Sequence, residues 1–214
     1  RMTLTPNPGF VLLLAAALTL LTPARVRPLL MVLSAFGAIY LMFEPPFGDT
    51  VTLAEIGLAV TPLRLDAQSQ VFGLCFALLT AIIALFSSYR HDRIEDALLM
   101  TLAGAAMTGV FVGDFIGFVA ASSLAGLAGA GIAMSVRGGV GGLGAGVRML
   151  IWQGAAALLM TAGVGLIWAN SRSVDFDIVE AAAPGGALLF AGLLIQAGAP
   201  GAHLWVKDAG APPS

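Results

Sequence analysis

Residues 192–214 read GLLIQAGAPGAHLWVKDAGAPPS. The stretch opens as an apolar, small-residue helix that carries an amide, Gln196, at membrane depth. It breaks at Ala199-Pro200-Gly201 and leaves through His203, Trp205, Lys207 and Asp208. An interrupted transmembrane helix frees backbone groups whose partners lipid cannot supply. In transporters such breaks line ion or substrate paths. They also arise where a proline stops a helix and a tryptophan sits at the interface. Taken alone, the stretch allows both readings.

Composition places that helix in lipid. Of 214 residues, 58% are hydrophobic and 10% charged, and the mean hydropathy is +0.95. Soluble domains carry about 25% charged residues, so the lipid bilayer is this chain's main solvent. A net charge of −2 argues against nucleic acid as a partner. Cys75 is the single cysteine; within an apolar run it is expected to be buried as a small hydrophobe. The 27 glycines suit close helix packing.

Seven segments approach the roughly 20 apolar residues that a spanning helix needs. The first runs over 10–21 and reads as an anchor rather than a signal peptide, because no small-residue cleavage site follows it. The second covers 28–43 and ends at Glu44-Pro45-Pro46. Residues 48–67 alternate and carry Thr and Pro punctuation, which predicts strand-like or irregular structure at the interface. Further helices are expected over 70–88, 97–112 and 115–134, with a polar hairpin at 89–96 and a tight turn at Gly113-Asp114. Residues 138–146, GGVGGLGAG, read as a flexible connector. The sixth helix is placed at 147–168, and the seventh starts near Pro184. The expected fold is an all-α membrane protein of about seven transmembrane helices with a broken seventh. Helices 1–3 (residues 1–96) and helices 4–7 (residues 97–214) form its two parts. Arginines favour the odd-numbered loops, which puts those loops inside and the N-terminus outside.

Ionisable groups within a bilayer mark ion paths, and the apolar spans hold none near a helix centre. Hydroxyls and amides remain: Ser34, Thr80, Thr101, Thr108, Ser122, Ser123, Gln153, Thr161 and Gln196. Interhelical hydrogen bonding is the plain role for each. His203, beside the break, could carry protons or satisfy a freed carbonyl. Two distant histidines and one cysteine make no metal shell, no serine has a nucleophile-elbow context, and no cofactor is indicated.

One resemblance draws these features together. Gly192-x-x-x-Gln196-Ala197, followed by His203-x-Trp205-x-x-Asp208-Ala209-x-Ala211-Pro212, resembles the signature of antiporter-like proton-translocating subunits. These are the large membrane subunits of respiratory complex I, of Mrp-type sodium/proton antiporters and of membrane-bound hydrogenases. Leu65-Asp66 with Ser69 resembles the family's segment entering the third helix, and Ser88-Tyr89 its exit in weaker form. The resemblance implies a multisubunit complex in a bacterial cell inner membrane, with other membrane subunits as partners.

The chain departs from the family pattern where charge matters. The family's proton-carrying lysine falls on Gln196, and its glutamate pattern falls on Ser122-Ser123. Pro200 stands one position early, so that Gly201 precedes the histidine, and Lys207 replaces the proline before Asp208. The family builds about fourteen helices from inverted repeats, whereas this sequence covers part of the first. It is expected to be a fragment or a short, degenerate relative. The ion-path candidates are therefore Gln196, Ser123, His203, Ser122 and Gln153, with Pro200, Gly201, Trp205 and Asp208 as break and signature positions. The leading expectation is a structural role in the complex rather than catalysis. Translocation through a water wire with His203, or a small membrane assembly protein, are the alternatives.

Overall fold

A computed structural model of the chain describes residues 6–44, 50–55, 58–87, 92–137, 139–176, 179–199 and 203–207. The elements run α1 (Pro8–Thr19), α2 (Arg27–Phe43), β1 (Thr50–Glu55), β2 (Leu58–Arg64), α3 (Ala67–Ser87), α4 (Arg93–Phe111), α5 (Phe115–Arg137), α6 (Gly139–Ser171) and α7 (Gly186–Gln196), followed by a 3-10 turn at His203–Trp205. Among the described residues, four helices are long and apolar enough to cross a bilayer, over Ala67–Phe86, Arg93–Phe111, Phe115–Ser135 and Gly142–Ser171. Helices α1, α2 and α7 are apolar but shorter.

Two compact units emerge, Arg1–Leu53 with Thr61–Gly113, and Ala54–Val60 with Asp114–Ser214. The sequence grouped the fourth helix with those after it, dividing the chain at 96/97. In the structure α4 packs on α1 and α3, and the compact units part after Gly113.

In the first unit, α1 lies against α2 and α4, and α3 packs on α2 and α4. Leu12, Met31, Met42, Leu63, Met100, Met107 and Phe111 fill its core. Helices α1 and α4 cross in backbone contact. A Cβ at Gly9 would overlap Thr108 Oγ1 and stand 2.5 Å from the Gly104 carbonyl oxygen, so only glycine allows that approach. Asn7 ties the crossing together. Its Oδ1 caps α1 by accepting from Gly9 N–H at 2.9 Å, and its Nδ2 donates to the carbonyls of Pro62 (2.9 Å) and Thr108 (3.3 Å).

The alternating stretch forms a two-stranded sheet, β1 with β2, and a two-residue connection permits only antiparallel pairing. Asp66 and Ser69 then start α3 as a reciprocal cap. Asp66 N–H donates to Ser69 Oγ at 2.9 Å, and Ser69 N–H donates to Asp66 Oδ1 at 2.8 Å. These two residues of the resembled segment thus have a local helix-starting task.

Three expectations about helices need correction. Helix α4 begins at Arg93, one turn before Ala97, because Asp92 Oδ1 accepts from Ile94 and Glu95 N–H. The glycine-rich stretch is no flexible connector: α6 starts at Gly139 and runs unbroken to Ser171. Small residues there let it close on α5, where Gly146 faces Met134 and the Ala130 carbonyl. Cys75 is exposed rather than buried, on the same side of α3 as exposed Phe72, Leu78 and Leu79.

The first unit also buries an ion pair that the loop pattern concealed. Arg27 Nη1 meets Asp96 Oδ2 at 2.8 Å, and the two residues are 4% and 3% exposed. The pair fixes the start of α2 to the first turn of α4.

Candidate functional site

The polar candidates gather in the second unit, where α6 packs on both α5 and α7. Asp114 opens α5, its Oδ1 accepting from Gly117 N–H at 2.6 Å. Phe115 N–H donates to the Val174 carbonyl at 2.8 Å, and Asp114 forms an antiparallel bridge with Asp175. The tight turn predicted at Asp114 is thus backed by the loop that precedes α7. Val119, Ala156, Met160, Val164 and Leu189 make the core.

Helix α7 ends earlier than its proline suggests. Gln196 is its last residue, and Gly198 takes a left-handed φ of 65°. Ala197, Gly198 and Ala199 N–H groups donate back to the carbonyls of Leu193, Ile195 and Leu194. Only glycine adopts that φ at no steric cost. The anticipated break at Pro200-Gly201 lies outside the described residues, as does Asp208.

The Ile195 carbonyl at the end of α7, which already accepts from Gly198 N–H, gains a side-chain donor as well, Trp205. Its Nε1 donates to Ile195 O at 2.8 Å, while His203 is exposed in the 3-10 turn. We expect Trp205→Phe, which keeps an aromatic ring and removes the donor, to cost about 0.5–1.5 kcal/mol, because Ile195 O retains the bond from Gly198 N–H. Thermal unfolding in detergent micelles measures it, and an unchanged midpoint would mean that solvent replaces the indole.

Gln196 Nε2 donates to the backbone carbonyl of Ser122 on α5 at 3.2 Å. The amide therefore works between helices, at the level to which the resemblance assigned the family's charged pair. The facing group is the Ser122 carbonyl rather than the Ser123 side chain. Ser122 Oγ and Ser123 Oγ both donate to Val119 O, at 3.1 and 2.6 Å. Gln153 is 5% exposed on α6 and packs on Gly126 of α5, where a Cβ would stand 2.8 Å from its Oε1. The Oε1 atoms of Gln153 and Gln196 are both buried with no hydrogen-bond partner among the described residues.

The hydroxyls correct a further expectation. Ser34, Thr80, Thr101, Thr108, Ser122, Ser123 and Thr161 all bond to carbonyls three or four residues back in their own helices. This back-bonding satisfies a hydroxyl in lipid without any partner helix.

No titratable group joins the amides. Arg137 and Arg148 are the only ionisable side chains on α5, α6 and α7, and no group of three or more His, Cys, Asp or Glu that could hold a metal ion occurs among the described residues. What the arrangement offers is neutral hydrogen-bond acceptors at one depth.

No protein-family model matches this sequence, and no curated protein matches it. Solved structures do match in fold. A chain of the Mrp complex from Dietzia sp. DQ12-45-1b superposes with a TM-score of 0.78 at 20% identity, over 94% of this chain and 24% of that one. A chain of the membrane-bound sulfane sulfur reductase, described as an archaeal respiratory membrane complex, gives 0.75 at 20% identity, over 97% and 36%. The chain thus has the fold of a portion of these larger membrane-complex chains and spans from about a quarter to just over a third of their length.

Proposed function

We propose that the chain is an antiporter-like subunit, or a portion of one, in a multisubunit membrane complex, and that this portion is a neutral scaffold. The likeness in fold to chains of two such complexes supports the first half. One observation carries the second: the level at which α5, α6 and α7 meet is built from Gln196, Gln153, Ser122 and Ser123, with no ionisable group among them. A proton crossing a bilayer needs protonatable groups or connected water, and an amide neither gains nor gives up a proton at ordinary pH. Pumping then belongs to other subunits, to which this chain supplies shape and contact surface.

The finer parts of the reading are seven crossings with the N-terminus outside and a bacterial cell inner membrane. Helices α1, α2 and α7 are short, and in this reading flanking turns would complete their crossings.

Mild-detergent purification from the native membrane, with mass analysis of whatever accompanies the chain, tests the assignment. Stoichiometric membrane subunits of an oxidoreductase or antiporter are expected. Recovery of the chain with no membrane partner at all contradicts it.

A further inference from the structure

Gln153 and Gln196 each bury an amide oxygen that no described donor reaches. Such an atom costs about 1–3 kcal/mol if left dry, and native proteins pair nearly all of theirs. Helix register brings the two oxygens to one depth. Gly192 of α7 meets the Ala156 carbonyl and Met160 of α6, while Gly163 meets Leu189; α6 and α7 therefore run antiparallel. One turn onward from Gly192 is Gln196, and one turn back from Ala156 is Gln153. On α5, Gly126 faces Gln153, and Ser122 accepts from Gln196. Three helices thus bring polar groups to the same level.

We infer that this level is a buried water site, in which one or more waters donate to Gln153 Oε1 and Gln196 Oε1. The chemistry selects a donor. The serine hydroxyls spend their protons on Val119 O, so their free lone pairs add acceptors rather than donors. A buried water needs 2–4 polar partners, which this set supplies. A metal cation would need more oxygens, usually with carboxylates among them, and α5, α6 and α7 carry none. Gly126 admits the Gln153 side chain, since a Cβ there would stand 2.8 Å from its Oε1. Neutral acceptors hold the water in place without charge, so its occupancy does not depend on pH. The water completes the packing of the unit as a hydrogen-bonding filler.

The inference concerns the level used in the functional reading above and rests on that reading for the site's neutrality; the two fail separately. X-ray hydroxyl-radical footprinting of the full chain in lipid nanodiscs is the test, because bound water generates radicals beside buried side chains. Met149 lies one turn from Gln153 and is 6% exposed; Met42 and Met107 of the first unit are fully buried. We expect Met149 to be oxidised several-fold faster than Met42 and Met107, at pH 6 and pH 8 alike, and the excess to disappear in a Gln153→Leu, Gln196→Leu variant. Thermal midpoints give a second sign. Leucine at Gln153 lowers the midpoint if water is lost, and raises it if the oxygen was dry and unsatisfied. Met149 labelled no faster than the two references, or a raised midpoint in Gln153→Leu, overturns the water site and leaves the scaffold reading standing. Proton conduction by the unaltered chain would do the reverse.

Discussion

Replacing Asp96 with alanine is expected to remove about 3–5 kcal/mol of stability, the cost of leaving one member of a buried ion pair without its counter-charge. Arg27 and Asp96 are almost fully enclosed and 2.8 Å apart, and the contact joins residues 69 apart in sequence. A guanidinium held there without the carboxylate must drag water inward or pull the start of α2 from its neighbour. The pair itself adds little net stability, because desolvating two charges offsets most of their attraction. An Arg27→Met, Asp96→Leu double variant should accordingly lie much closer to the wild type than either single change. Denaturant unfolding in micelles measures all three. A single-variant loss below about 1 kcal/mol, the range of solvent-exposed pairs, would mean that the pair is not enclosed.

Placing lysine at Gln196, where the resemblance puts one, should also be costly. An unpaired lysine at bilayer depth loses about 2.5–3.5 kcal/mol on insertion scales, and here it would also give up the bond from the amide to Ser122 O. Adding Ser123→Glu beside it supplies a counter-charge next to the residue that Gln196 now reaches. The double variant should recover part of the loss. If the double variant is no more stable than Gln196→Lys alone, the two positions are not electrostatic partners, and the assignment drawn from the resemblance fails there.

These two cases mark what the sequence could and could not reveal. Gln196 was legible because an amide amid Gly, Leu and Ile at membrane depth has few neutral explanations, and its bond to α5 is the interhelical role that lipid demands. Strand character in 48–67 was legible from alternation, but Thr61-Pro62, read as punctuation, lies inside β2. Helix α3 starts at Ala67, three residues before the expected Gln70, because Asp66 and Ser69 cap it. Arg27, Asp96 and Asn7 were not legible. Each lies among prolines or charges and reads as a loop residue, and its burial depends on a helix distant in sequence.

Local glycine chemistry misled in two opposite ways. In water a run such as 138–146 would be flexible, since each glycine costs about 1 kcal/mol in a helix. In lipid, exposed backbone costs more than that, so residues 139–146 stay helical and use their missing side chains to close on α5. Near the end of α7 the reverse holds. Pro200 attracts attention as the breaker, yet Gly198 at φ 65° turns the chain first. Trp205, legible as an interfacial aromatic, proves to be the donor to Ile195 O; nothing in its spacing distinguishes the two tasks.

The central claim is that the neutral level holding Gln196, Gln153 and Ser122 carries no proton path. Proton flux in proteoliposomes tests it most directly. With the chain reconstituted alone and a pH gradient imposed, the account predicts dissipation no faster than in empty vesicles, unchanged by Gln196→Leu. Flux clearly above the empty vesicles and abolished by Gln196→Leu would contradict it, placing a working proton path through the amides themselves.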